Sequence, residues 1–167
     1  LAIAPYFPEY KPFAQAAGLN FRVVPPDVPE FQIKLDAVEA MLTPHTQAVL
    51  INTPNNPSGV VYTQKTLEAL GALLTQKSRE YGHPIYLISD EPYRELAYGV
   101  EVPFVPLIYP NTVVCYSYSK SLSLPGERIG YIYVPDSAAD SRALYDAVAG
   151  AARSAGHVCA PSLWQKV

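Results

Sequence analysis

Apolar runs of strand length alternate with stretches of helical period along the chain. Residues 1–4 are apolar and stop at Pro5, the mark of a short buried strand. Residues 11–17 read as a short helix ended by Gly18. Residues 21–24 form a second strand pattern, halted by Pro25 and Pro26. Leu35, Val38, Met41 and Leu42 recur at helical spacing, and residues 48–51 make a third apolar run. The next helix predicts its own ends. Thr63 can cap it, Leu67, Leu70, Leu73 and Leu74 form its apolar face, and Gly82 closes it. Residues 85–88 and 112–116 supply a fourth and a fifth strand. Residues 129–134 supply a sixth, after a polar link too short for a packed crossover helix. Residues 138–155 are Ala-rich and helical, and residues 161–167 read as the opening turn of another helix.

Strands alternating with helices predict a three-layer α/β/α unit. Its sheet has about six strands and is mostly parallel, with the last, Ile129 to Val134, antiparallel and helices expected over both faces. A chain of 167 residues fits one domain. Composition then narrows the classes. At 49% hydrophobic and 16% charged, the chain can bury a core and is not of the disordered class. A net charge of −3 with no basic run argues against nucleic acid as a partner. No apolar run nears the roughly 20 residues of a membrane span, so no membrane partner is expected. Cys115 and Cys159 give no disulfide framework and no metal-ligand spacing, which points to a reducing, cytoplasmic setting. Cys115, inside the fifth strand, is read as a buried free thiol.

Polar residues crowd the carboxyl ends of the predicted strands, where open α/β sheets place their ligands. Asn56 follows the third strand, Asp90 and Tyr93 the fourth, and Lys120 the fifth. Lys120 lies in the stretch Ser117-Tyr-Ser-Lys-Ser-Leu-Ser-Leu-Pro-Gly-Glu-Arg128. An amine, a carboxylate, a phenol and an amide at one crevice can clamp a heteroaromatic cofactor. The nearby hydroxyls and arginine can hold a phosphate.

Three motifs in order carry a family resemblance. They are Asn55-Asn56-Pro57-Ser58-Gly59, Asp90-Glu-Pro-Tyr93, and Ser117-Tyr-Ser-Lys120 with Gly126-Glu-Arg128 downstream. Together the sequence resembles the class I/II aminotransferases, pyridoxal-phosphate-dependent enzymes of fold type I. The resemblance implies transfer of an amino group between an L-amino acid and a 2-oxo acid, by an enzyme like aspartate aminotransferase. Lys120 would hold pyridoxal 5'-phosphate as a Schiff base and shuttle the proton. Asp90 would pair with the pyridinium nitrogen. Tyr93 and Asn56 would bond the phenolic oxygen. Arg128, Ser117 and Ser119 would bind the phosphate, and Phe7 would stack on the ring. Ala4-Pro5 and Asn56-Pro57 fall where relatives have cis peptide bonds, and the second is expected to be cis.

The resemblance also implies that the chain is a partial large, cofactor-binding domain. An N-terminal segment and a C-terminal small domain of the parent would lie outside it, and the full-length protein would be a homodimer. The fragment alone is then expected to be inactive. Two other readings share these residues. One is a fold-type I lyase that carries out β-elimination. The other is a non-catalytic interaction domain that keeps the fold.

Overall fold

The computed structural model describes residues 1–166. Six strands form one sheet: β1 (Ala2–Ile3), β2 (Val23–Val24), β3 (Ala48–Asn52), β4 (Tyr86–Asp90), β5 (Thr112–Ser117) and β6 (Gly130–Tyr133). Their spatial order is β2-β1-β3-β4-β5-β6. The pairs from β2 to β5 are parallel, and β6 is antiparallel to β5. The short polar link before β6 therefore reverses the chain, as expected.

Six helices accompany the sheet: α1 (Tyr10–Ala16), α2 (Leu35–Met41), α3 (Gln64–Tyr81), α4 (Val105–Ile108), α5 (Tyr118–Ser121) and α6 (Ser141–Ser154). The longest, α3, has the ends its sequence predicts. Thr63 accepts from the Thr66 amide, and Gly82 closes the helix at a φ of 77°, where a side chain is disfavoured. α4 and α5, four residues each, escape sequence periodicity because one turn is too short to show a period. Residues 161–166 form a turn held by Trp164 and Gln165 amides on the Pro161 carbonyl. The helix expected over residues 161–167 is absent from the described part, and Val167 lies outside it.

The core joins β1, β3 and β4 to α2, α3 and α4 through Ile3, Val38, Val49, Ile51, Leu67, Leu70, Leu74, Leu87 and Val105. Along β3 and β4 burial alternates, so one face of the sheet is sealed and the other half-open. The coverage expected on both faces is thus uneven. α1 and α6 contribute no buried residue. A groove of about 420 Å³ separates α6 from β5 and β6, between Tyr131 and Ile132 on one side and Tyr145 and Val148 on the other.

Register aligns the ends of the central strands. Asn52 pairs with Asp90, and Asp90 with Cys115. β3 and β4 therefore finish level, and β5 runs two residues further, to Ser117, on the same side of the sheet.

Candidate active site

The turn after β3 is built by two buried asparagines. Asn52 Nδ2 donates to the Asp90 carbonyl at 2.9 Å, and its Oδ1 accepts from the Asn56 amide at 3.1 Å. Asn55 Nδ2 donates to the Pro5 carbonyl at 2.9 Å, while its Oδ1 accepts from Ser58 Oγ at 2.8 Å. By sequence these residues are plain turn formers. In the fold they stitch the loops after β1 and β3 together and pin Asn56 at the end of the turn. The Asn56–Pro57 and Ala4–Pro5 bonds are cis, as are Val28–Pro29 and Thr53–Pro54.

Asn56 Nδ2 donates to the Tyr93 hydroxyl at 3.1 Å. Lys120 Nζ lies 5.9 Å from the centre of the Tyr93 ring, a cation–π distance. Ser117 caps α5 by accepting from the Ser119 amide, and the two hydroxyls are 2.7 Å apart. The sheet thus brings Asn56, Tyr93 and Lys120 together, with the serine pair one turn away.

Asp90 ends β4 beside Tyr93 and is largely buried. Burial pushes its carboxyl above the usual carboxylate range, and the Glu91 charge adds to this. A hydrogen bond from the Tyr10 hydroxyl to Oδ2 opposes both. Tyr10 belongs to none of the three motifs, and reading by motif misses it. Its one signal is position: the first residue of α1, just past the carboxyl end of β1. Phe7 is half exposed and meets the Tyr10 ring edge-on, with centroids 5.7 Å apart.

The next residue is different in kind. Glu91 is 1% exposed and accepts from Arg94 Nε and Ser89 Oγ, each at 2.7 Å. Arg94 also donates to the carbonyls of Val102 and Pro103. This buried pair fixes the short segment that carries Asp90 and Tyr93.

Arg128 makes no hydrogen bond to the other sequence-predicted site residues. It is exposed, adopts a left-handed φ of 52°, and donates from Nη1 to the Pro125 carbonyl at 2.8 Å. Its neighbour Glu127 accepts from Trp164 rather than from Arg128. The rest of the guanidinium remains available to an anion. Gly130 follows, where a Cβ would lie 2.3 Å from the Tyr116 carbonyl oxygen. Only glycine lets β6 approach β5 at the Ser117 register.

An open α/β unit with a polar crevice at the carboxyl ends of its central strands is the class this geometry defines. Comparison with known proteins makes it specific. The family model for aminotransferase class I and II matches residues 1–167. The chain belongs to that family. It is similar to an amino transferase from Eubacterium rectale, at 60% identity and a TM-score of 0.96, over 99% of this chain and 42% of that one. It is also similar to a mutant aspartate aminotransferase of Thermus thermophilus, at 29% identity and a TM-score of 0.81, over 95% and 41%. Among curated relatives, a probable aspartate/prephenate aminotransferase of Thermus aquaticus is 35% identical over 81% of this chain and 34% of that protein. The chain spans about a third of the length of the curated relatives it matches.

Proposed function

We propose that the full-length protein is a pyridoxal-phosphate-dependent aminotransferase, moving an amino group between an L-amino acid and a 2-oxo acid. Residues 1–167 are then part of its cofactor-binding domain. The observation that carries this reading is the convergence of Lys120, Tyr93 and Asn56 beside Asp90.

The donor set fits the cofactor group by group. A largely buried carboxylate suits a cationic ring nitrogen. A phenol already bonded to an amide suits a phenolic oxygen. Two hydroxyls and a partly free guanidinium suit a phosphate. An unpaired amine suits an aldehyde.

Bound pyridoxal phosphate supplies an electron sink for the pair left on a substrate carbon. The chain's own residues do the rest. Asp90 keeps a counter-charge at the ring nitrogen. Tyr93 and Asn56, already bonded to each other, would hold the phenolic oxygen. Ser117, Ser119 and Arg128 would bind the phosphate, and Phe7 would stack on the ring. Lys120 Nζ is the group that takes up and returns the proton at the reacting carbon.

The same reading has the full-length protein working as a cytoplasmic homodimer, which the two free cysteines and the exposed apolar side chains of β6 support. Relatives named for aspartate, prephenate and aromatic amino acids define the substrates to assay first, the amino acids as donors and prephenate, a 2-oxo acid, as acceptor. The test is direct. Pyridoxal phosphate is added, the protein is reduced with borohydride, and the labelled peptide is mapped. Label on Lys120, with a new amino acid formed from the donor, is the expected result. Label elsewhere, or pyruvate and ammonia in place of a new amino acid, overturns it.

A further inference from the structure

Lys120 sits on a helix of a single turn. α5 runs from Tyr118 to Ser121, and Ser117 caps its start. At its end the Leu122 amide reaches the Tyr118 carbonyl at 3.3 Å, and the Ser123 amide reaches the Lys120 carbonyl at 3.2 Å. One turn closed by such long bonds does not hold its own shape. Among the described residues the Lys120 amine has no hydrogen-bond or ion-pair partner, so its place follows from the turn that carries it.

That turn is tied down by Tyr116. Tyr116 lies on β5 and is 8% exposed. Its ring stacks on Tyr131, its register partner on β6, with centroids 5.0 Å apart, and meets Tyr118 edge-on at 5.1 Å. The hydroxyl lies 2.7 Å from Glu95 Oε2 and 2.7 Å from Ser121 Oγ. A phenol has one proton, and a carboxylate only accepts. Tyr116 therefore donates to Glu95 and accepts from Ser121. Ser121 directly follows Lys120. Glu95 lies in the 3₁₀ turn Arg94–Leu96, which Tyr93 opens and which the buried Glu91–Arg94 pair fixes at its base. The hydroxyl relay thus joins the turn that carries Lys120 to the turn that begins at Tyr93.

We propose that Tyr116 and Glu95 are positioning residues that act through Ser121, holding Lys120 at a fixed spacing from Tyr93. The proposal rests on the cofactor reading above. Neither residue belongs to the three motifs. The relay serves the amine and not the phosphate end, because Ser117 and Ser119 are held by their own cap, with the two hydroxyls 2.7 Å apart.

The test compares two ligands on the full-length protein. Pyridoxal 5'-phosphate carries the aldehyde that Lys120 bonds. Pyridoxamine 5'-phosphate shares its ring and phosphate but has no aldehyde. The ratio of their dissociation constants isolates the share of binding that the lysine supplies. Tyr116→Phe keeps the ring against Tyr131 and Tyr118 and removes only the relay. It is expected to weaken pyridoxal phosphate about fivefold, the scale of one hydrogen bond, and to leave pyridoxamine phosphate unchanged. Glu95→Ala is expected to do the same, and the double variant to go no further. Glu95 is exposed, so Glu95→Ala decides the matter where Tyr116→Phe does not fold. Glu95→Gln still offers an oxygen to the phenol and is expected to keep the wild-type ratio. An unchanged ratio in Glu95→Ala, a parallel loss of both ligands, or losses that add in the double variant overturns the relay alone. A wild-type protein that takes up no cofactor at Lys120 overturns this proposal together with the functional reading.

Discussion

Two cysteines in the chain differ through their surroundings. Burial pushes the Cys115 thiol up to about 12, with Asp90 and Glu91 adding to the effect, whereas Cys159 is exposed. Only thiolates react readily. A maleimide at pH 7.5 is therefore expected to label Cys159 quickly, and Cys115 only in denaturant, as mass spectrometry of the peptides would show. A second residue-scale prediction concerns Arg94. Its removal leaves the Glu91 carboxylate buried without its cation, so Arg94→Ala is expected to cost about 3 kcal/mol in a urea melt. An unchanged midpoint would refute that. At this scale, much is legible in the sequence. Asn56, Asp90, Tyr93 and Lys120 stand out because each sits in a motif at a strand end. Tyr10, Asn52 and Asn55 do not, because their partners are brought near only by strand order and register.

Helix α3 is the element most fully dictated by its own residues. A capping threonine, four leucines at helical spacing and a closing glycine each meet the role their position assigns. Replacing Thr63 with Ala removes the acceptor for the Thr66 amide and is expected to cost about 1 kcal/mol. Leu70, fully buried, is worth more: Leu70→Ala is expected to cost about 2–5 kcal/mol. Thermal unfolding of the two variants would show the ranking. At β5 and β6 the decisive residue is Gly130. A Cβ there overlaps the Tyr116 carbonyl, so Gly130→Ala is expected to cost about 1–3 kcal/mol and to displace Ser117, its register partner. Elements of one turn, α4 and α5, leave no trace in the pattern. Their positions depend on neighbours, such as the Tyr116 hydroxyl on Ser121 and Glu95.

The sheet has one better sealed face and, at β6, an open edge with exposed apolar side chains. Among the described residues β6 pairs only with β5, and Tyr131, Ile132 and Tyr133 are 42–48% exposed. Unpaired edges with apolar side chains invite association. Residues 1–167 alone are expected to self-associate as concentration rises, and Ile132→Lys to weaken this, read by sedimentation velocity. Alkaline stability is also set globally. Cys115 and Tyr62 stay neutral in the fold to about 12, from ordinary values of 9.0 and 10.0. The unfolded chain releases those protons first, so the contribution of these two groups to stability is constant below about pH 9 and falls between pH 9 and 12. Urea midpoints at pH 8 and pH 11 would show the drop.

Taken alone, the amino-acid sequence determined the alternation of strands and helices, the antiparallel sixth strand, the limits of α3 and the motif residues at the strand ends. These are local matters: period, capping, link length and residue chemistry act over a few neighbours. Tertiary structure alone decided which ends finish level, that Tyr10 crosses β3 to reach Asp90, that Arg128 turns to Pro125, and that one sheet face is sealed better than the other. Those depend on strand order, register and close packing, where residues up to 80 positions apart meet. No local period encodes such meetings.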